Sequence, residues 1–336
     1  MKKKVFLILL MFLVSGFLVY FVYEKIGAEE IWESLLSFFP KGILVVLAMM
    51  AISHGIGIFR WQIILKNKKN KVSFKNLISS WLASFGISFF IPFALGASET
   101  MRAYSLKRKE KNITWEKSFV SVIIDKVFEG TTSFLMILLG IISLVLYSFL
   151  LPFKVWIFFL FLFGLIGLIV YFYFRAFRNQ SIIKIIEKPL EKILNHRVKN
   201  VLEIEKEIFR FFKWKNKRLK KTIWVALLRQ VVDFLACFSI LFFMGVKLNF
   251  FQAVSIIGFI YLAYYVIPVP AALGVLEIVQ ALVFSQIGFD PHVGVAFVLL
   301  LRAFNFIFAL LGIGLGFRSI LYWFGEKIVA VSKKQQ

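Results

Sequence analysis

The chain has 336 residues, of which 60% are hydrophobic and 18% aromatic, and a soluble globule would have nowhere to bury its 42 phenylalanines. An average soluble domain is only about 45–50% apolar. The composition therefore excludes a soluble enzyme, a secreted domain and a disordered tail, and it indicates a polytopic membrane protein. The formal charge is +23, and the cations cluster between the apolar runs. The positive-inside rule explains that distribution, so we predict no nucleic-acid partner.

Six apolar runs are predicted to cross the membrane completely. In chain order they cover residues 5–23, 42–65, 117–147, 155–174, 222–245 and 293–322. The first run is longer than the roughly 7–15 apolar residues of a secretory signal, so we expect it to be retained. Three lysines precede it and place the N-terminus in the cytoplasm. The segment that follows, 24–41, is acidic on balance and is predicted to lie outside, with a short interfacial helix.

The apolar stretch after the second span is predicted to enter the membrane and return. The loop before it, 66–75, is basic, and so is the cluster at 107–111 after it. A complete crossing would place one of these basic segments outside, against the positive-inside rule. The sequence from Pro92 to Gly96 also breaks a helix. We therefore predict a re-entrant hairpin over 74–108 whose turn lines a cavity, because non-helical backbone at membrane depth needs protein or water around it.

The second half of the chain contains a matching break. A long basic segment over 175–221 is predicted to lie in the cytoplasm, where it would attract anionic lipid headgroups. The apolar stretch over 251–286 is then interrupted by Pro268, Pro270 and Gly274, and neither of its ends carries a basic cluster. We predict a second re-entrant hairpin that enters from outside, followed by a last span and a cytoplasmic C-terminus.

These elements form an inverted-topology repeat. The predicted repeats are residues 1–150 and residues 151–336, which begin on opposite sides of the membrane. The two turns also agree in sequence, since Pro92–Glu99 reads PFALGASE and Pro270–Glu277 reads PAALGVLE. The predicted fold is all-α, with six full spans and two re-entrant hairpins.

Ionisable side chains inside the apolar segments are the candidate functional residues. Each costs at least ~2.5–3.5 kcal/mol to insert, so it usually faces an interior cavity or a partner. The predicted substrate-binding residues are Glu99, Arg102, Asp125, Glu129, Arg229, Asp233, Glu277 and Arg302. For Glu99 and Glu277 the alternative is that each only caps its own helix.

Structural pairing is the alternative role for several of these residues. Arg229 and Asp233 are spaced i, i+4 and can pair on one helix face. Glu99 and Arg102 are spaced i, i+3, which is close enough for a local pair. Snorkelling at the cytoplasmic end of its span explains Arg60 about as well as function does.

The order of these features resembles the lysylphosphatidylglycerol synthase transmembrane-region family. This flippase-like, UPF0104-type family forms the membrane half of the multiple peptide resistance factor. The matching positions are Pro92, Gly96, Glu99 and Arg102, then Asp125 or Glu129, then residues 270–277, and finally Arg302. Ala271 and Ala272 stand where the family usually has glycines. The resemblance implies lipid translocation between leaflets, and not synthesis, because the soluble transfer domain is not found in this sequence.

We therefore expect a flippase or scramblase of the cytoplasmic membrane that moves a polar or charged headgroup, with Arg102, Arg229 and Arg302 holding phosphate. The expected partners are a membrane phospholipid or a lipid-linked substrate, and a homodimer stays open. We expect no cofactor, no metal and no enzymatic activity. An integral-membrane transferase acting on a lipid-linked substrate is the main alternative, although the sequence lacks a donor-site motif, and a small-ion transporter is a further one.

Overall fold

The computed structural model describes residues 2–66, 72–90, 96–148, 155–186, 198–266 and 272–332. Within these ranges the chain forms twelve α-helices, a short 3₁₀ helix at Ile183–Ile186 and no strand, so the prediction of an all-α protein is confirmed. The helices are α1 (Lys2–Ile26), α2 (Ala28–Leu36), α3 (Gly42–Leu65), α4 (Phe74–Phe90), α5 (Ala97–Lys109), α6 (Trp115–Ser148), α7 (Val155–Phe177), α8 (Val198–Phe211), α9 (Lys217–Phe243), α10 (Phe250–Val266), α11 (Val275–Gln286) and α12 (Pro291–Ser332).

Four helices are long and apolar enough to cross a membrane among the residues described. They are Gly42–Leu65, Trp115–Leu146, Lys217–Phe243 and Pro291–Trp323, which belong to α3, α6, α9 and α12. The other two predicted spans, 5–23 and 155–174, coincide with α1 and α7. The predicted cytoplasmic segment 175–221 is partly helical, because it contains α8 and its last residues already belong to α9.

Two pairs of consecutive helices form hairpins whose open ends are tied by side chains. In the first pair, α4 and α5, the Ser73 amide donates to Glu110 Oε1 at 2.9 Å, and Asn76 Nδ2 donates to the same oxygen at 3.0 Å. In the second pair, α10 and α11, Gln252 Nε2 donates to the Ile287 carbonyl at 3.1 Å. The start of each hairpin therefore lies beside its end.

A glycine immediately precedes the second helix of each hairpin, as its N-cap. Gly96 has a φ of 85° and Gly274 a φ of 79°, a region in which a side chain is strained. The carboxylate three residues later accepts a hydrogen bond from each glycine amide, at 3.1 Å for Glu99 and 2.9 Å for Glu277. Both hairpins thus use the same cap. The predicted turn residues Pro92, Pro268 and Pro270 lie outside the described part of the chain.

Each hairpin packs against the last long helix of the other half of the chain. Helix α4 lies on α12, and α10 lies on α6. Both contacts bring backbones together at glycines. A Cβ atom at Gly312 would lie 2.0 Å from the Leu82 carbonyl oxygen, and one at Gly258 would lie 2.6 Å from Gly140 Cα. Larger residues at these glycines would force the helices apart.

Helices α3 and α9 pack antiparallel and fix which helix ends lie together. Arg218 Nη1, at the start of α9, donates to the Lys66 carbonyl at the end of α3 at 2.5 Å. At the other end, the Phe39 amide donates to the Phe243 carbonyl at 2.8 Å. The largest buried apolar cluster draws on α3, α9, α10, α11 and α12.

Candidate functional site

A buried triad of charged residues joins three helices beside the first hairpin. Arg60 on α3 donates from Nε to Asp125 Oδ1 at 2.7 Å, and Arg102 on α5 donates from Nη1 to Asp125 Oδ2 at 2.9 Å. The Arg102 guanidinium also lies 3.9 Å from the ring centroids of both Trp61 and Trp81. No side chain of the triad is more than 3% exposed. This sealed arrangement holds α3, α5 and α6 together.

A second group of charges lies on the same hairpin and on α6, but it is partly exposed. Lys126 Nζ is 3.2 Å from Glu129 Oε2 and 3.5 Å from Glu99 Oε1. The exposed fractions are 40% for Lys126, 29% for Glu129 and 22% for Glu99. Helix α6 is apolar enough to span a membrane, and charges that stay exposed on such a helix mark a water-accessible cavity more often than a lipid-facing surface.

Helix α9 contributes an ion pair to the same region. Arg229 Nε lies 3.6 Å from Asp233 Oδ2, one turn along the helix, and Asp233 accepts a hydrogen bond from the Ser53 hydroxyl. The Arg229 guanidinium also lies 5.3 Å from the ring centroid of Trp81, the ring on which Arg102 of the triad stacks. These partly exposed residues are called the open cluster below: Glu99, Lys126, Glu129, Arg229 and Asp233.

The charges of the two groups balance as a whole but not locally. The open cluster holds three carboxylates and two cations, whereas the triad holds two cations and one carboxylate. Together they contain four of each sign, which keeps down the cost of placing them among apolar helices. The excess of carboxylates lies in the open cluster, where solvent or a ligand can reach it.

The second hairpin has a corresponding pair that is closed. Arg302 Nη1 donates to Glu277 Oε1, and its Nη2 donates to Glu277 Oε2 at 3.2 Å. Glu277 is buried, whereas Glu99 is partly exposed. In both hairpins the capping glutamate meets a cation on the next long helix, which is Lys126 of α6 or Arg302 of α12.

Comparison with known proteins places the chain in a family. The lysylphosphatidylglycerol synthase transmembrane-region family matches residues 8–312. The chain belongs to this family. A UPF0104 membrane protein of Pyrococcus horikoshii is 24% identical to it over 301 residues, which cover 83% of this chain and 87% of that protein. The family match includes both hairpins and every charged group described above, and it agrees with the four long apolar helices in identifying an integral membrane protein.

The structure divides the eight predicted site residues among three groups. Asp125 and Arg102 belong to the triad, Glu99, Glu129, Arg229 and Asp233 to the open cluster, and Glu277 and Arg302 to the second hairpin. The pairing of Arg229 with Asp233 is present. A local pair between Glu99 and Arg102 is wrong, because Arg102 faces Asp125 while Glu99 caps α5 and faces Lys126.

Two cations of this region were missed or misinterpreted from the sequence. Arg60 is fully buried in the triad and does not snorkel. Lys126 lies between two carboxylates and was not among the predicted site residues. The available signal was the like-charged spacing of Asp125 and Glu129 on one face of α6, which destabilises a helix unless a cation or a proton lies nearby. Among the described residues, no group of three or more histidine, cysteine, aspartate or glutamate side chains could hold a metal ion.

Proposed function

We propose that this protein moves a polar or charged lipid headgroup between the leaflets of the cytoplasmic membrane, as a flippase or scramblase. The observation that carries the proposal is the partial exposure of the open cluster. A network needed only for stability can be sealed completely, as the neighbouring triad is. The open cluster instead keeps five charged side chains partly exposed, and four of them lie on helices long and apolar enough to span a membrane. Such a recess offers a headgroup polar partners inside the membrane.

The arrangement of the hairpins supports this proposal, because the two hairpins open at opposite ends of the bundle. The first opens where α3 ends and α6 begins, and the second opens where α9 ends and α12 begins. Their helices also make equivalent contacts, α4 with α12 and α10 with α6. We infer an inverted-topology repeat with two re-entrant hairpins, an architecture in which transporters bind substrate between the repeats.

We infer from charge which side of the membrane each end of the bundle faces. The end where α3 finishes carries Lys66, the basic cluster at 107–111 and the lysines and arginine of 213–221. The opposite end carries the acidic residues of α2. By the positive-inside rule, we infer that the first end faces the cytoplasm, together with both chain termini.

We propose the following roles within the open cluster from its geometry. Arg229 and Lys126 are the cations that a headgroup phosphate can approach, whereas Glu99, Glu129 and Asp233 suit a cationic group. Arg102 is no longer a candidate for phosphate, since Asp125 and two tryptophan rings enclose it. Arg302 would need to leave Glu277 before it could hold phosphate.

Reconstitution into liposomes tests the proposal. Purified protein would be incorporated with a panel of labelled lipids carrying anionic, zwitterionic or cationic headgroups, and leaflet exchange would be followed with a membrane-impermeant quencher. Glu129→Gln should slow exchange about tenfold or more, because a bond to a charged group contributes roughly 1.5–3 kcal/mol, while leaving the melting temperature unchanged. Glu33→Gln, an exposed site on α2, is the matched control and should exchange lipid at the wild-type rate.

Two outcomes would refute the proposal. One is wild-type protein that exchanges none of the lipids, and the other is Glu129→Gln protein that exchanges them normally. Mass spectrometry of the recovered lipids covers the transferase alternative, because a transferase would return a chemically altered headgroup and a flippase would not.

A further inference from the structure

A cationic cavity lies apart from the open cluster, where α3, α6, α8 and α9 meet. Its volume is about 330 Å³, and its charged lining consists of Lys117, Arg210, Arg218 and Glu207. The remaining walls are mostly isoleucine, leucine, valine and phenylalanine side chains. Three cations against one carboxylate favour an anionic ligand, and the apolar walls favour one with a hydrocarbon part.

An apolar cavity of about 200 Å³ adjoins it between α6, α7 and α9. Phe211 lines the cationic cavity and Phe128 lines the apolar one, and their ring centroids are 6.3 Å apart. One face of α6 lines both cavities: Lys117 and Ile124 line the cationic cavity, and Phe128 and Leu135 line the apolar one. Because these positions share a helix face, the apolar cavity follows the cationic one along α6.

Exposed aromatic residues beside the cationic cavity indicate that it lies at the level of the lipid headgroups. Trp214 lies between α8 and α9, and Trp224 lies in the second turn of α9; both are strongly exposed. The Lys220 ammonium lies 5.5 Å from the Trp214 ring centroid. Exposed tryptophans with neighbouring lysines are typical of the boundary between membrane and water. The cationic cavity therefore lies at headgroup depth, with the apolar cavity further along α6.

We propose that the two cavities together bind one anionic phospholipid of the inner leaflet as a resident lipid. Its phosphate lies among Lys117, Arg210 and Arg218, and the first part of an acyl chain occupies the apolar cavity. None of the lining residues belongs to the open cluster or the triad. This site is independent of the proposed transport function, and the lipid it holds packs against α6.

Native mass spectrometry of the full chain tests this site. Protein would be released from phosphatidylcholine vesicles that contain phosphatidylglycerol, and the retained phosphatidylglycerol would be counted. The K117Q/R210Q/R218Q variant should retain at least about tenfold less, because it removes the cations that would bond the lipid phosphate directly, and charge-assisted bonds of this kind are strong. The control K213Q/K215Q/K220Q removes the same charge from exposed lysines of the same corner that do not line the cavity, and it should retain nearly the wild-type amount.

The outcomes distinguish a specific lipid-binding site from general electrostatic attraction between anionic lipid and basic residues. Equal losses in the two triple variants, or equal retention of phosphatidylcholine and phosphatidylglycerol by the wild type, would overturn the proposal. So would complete displacement of the lipid by millimolar inorganic phosphate, because that would show that the acyl chain adds nothing. Arg218 also supports the end of α3, so Arg210→Gln alone is the variant to use if the triple variant misfolds, and it too should retain less phosphatidylglycerol than the wild type.

Discussion

At the scale of single residues, Asp125 and Glu129 show how one turn of helix separates two roles. Both are acidic, and both lie on α6. Asp125 is buried with each carboxylate oxygen in an ion pair, whereas Glu129 has one close partner, Lys126, in the open cluster and remains partly exposed. Burying a charge is costly unless it is paired. Asp125 therefore has a structural role, while Glu129 remains accessible to a ligand.

Asp125→Asn should therefore destabilise the protein strongly. The substitution leaves Arg60 and Arg102 buried side by side without a counter-charge, which typically costs about 3–5 kcal/mol. The measurement is the melting temperature of the purified protein in detergent. Glu116→Gln, an exposed site at the start of the same helix, is the control. Similar melting temperatures for the two variants would mean that the triad does not stabilise the bundle.

Glu277 and Arg302 should behave as a coupled pair. Each single variant, Glu277→Gln or Arg302→Gln, leaves the partner charge in a mostly buried site, so each should lower the free energy of unfolding. The double variant removes both charges and should lose less than the sum of the singles, with a coupling of roughly 0.5–3 kcal/mol. Strictly additive losses in a thermal unfolding series would show instead that Glu277 acts only as the cap of α11.

At the scale of helices, the sequence predicted what depends on local pattern. The helix positions follow from the lengths of the apolar runs, and the first hairpin follows from basic residues at both of its ends. The contacts between helices were not predictable in the same way. Arg60 and Asp125 are separated by 65 residues, and their meeting depends on how α3 packs on α6. The partner of Glu99 was misassigned for the same reason, since spacing along α5 says nothing about Lys126 on α6.

The packing of α4 on α12 should depend on one glycine far more than on its neighbour. Gly312→Ala would place a Cβ atom 2.0 Å from the Leu82 carbonyl, whereas Gly314→Ala meets nothing within 4 Å. Overpacking of this kind costs about 1–3 kcal/mol, so Gly312→Ala should lower the melting temperature and slow lipid exchange. Gly314→Ala should leave both unchanged or slightly raise stability. Equal effects of the two substitutions would contradict the close approach of α4 and α12.

At the scale of the whole molecule, the two hairpins differ in the exposure of their capping glutamates, as well as in the end of the bundle at which they open. The capping glutamate of the second hairpin is buried against Arg302, whereas that of the first is partly exposed beside Lys126. The same capping motif therefore supports one closed and one open site in a single structure. One closed and one open site is the arrangement expected of the proposed flippase when only one side opens at a time.

The opposed directions of the hairpins lead to a prediction about sidedness. Lys66 follows α3, and Lys111 follows the first hairpin, so both should lie in the cytoplasm even though an apolar stretch separates them in the sequence. Glu29 on α2 should lie outside. Single cysteines would replace these residues in a Cys237→Ala background, since Cys237 is the chain's own cysteine.

Intact cells would then be treated with a membrane-impermeant maleimide. Cysteine at position 29 should react, whereas cysteines at 66 and 111 should react only after permeabilisation. Position 29 is the control for reagent access, and the permeabilised sample is the control for thiol reactivity. The decisive comparison is between Lys66→Cys and Lys111→Cys. If α4 and α5 together crossed the membrane once, one of these cysteines would be labelled in intact cells while the other stayed protected. The hydrogen bonds from Ser73 and Asn76 to Glu110 hold the two ends of the hairpin together, which is why equal protection is expected.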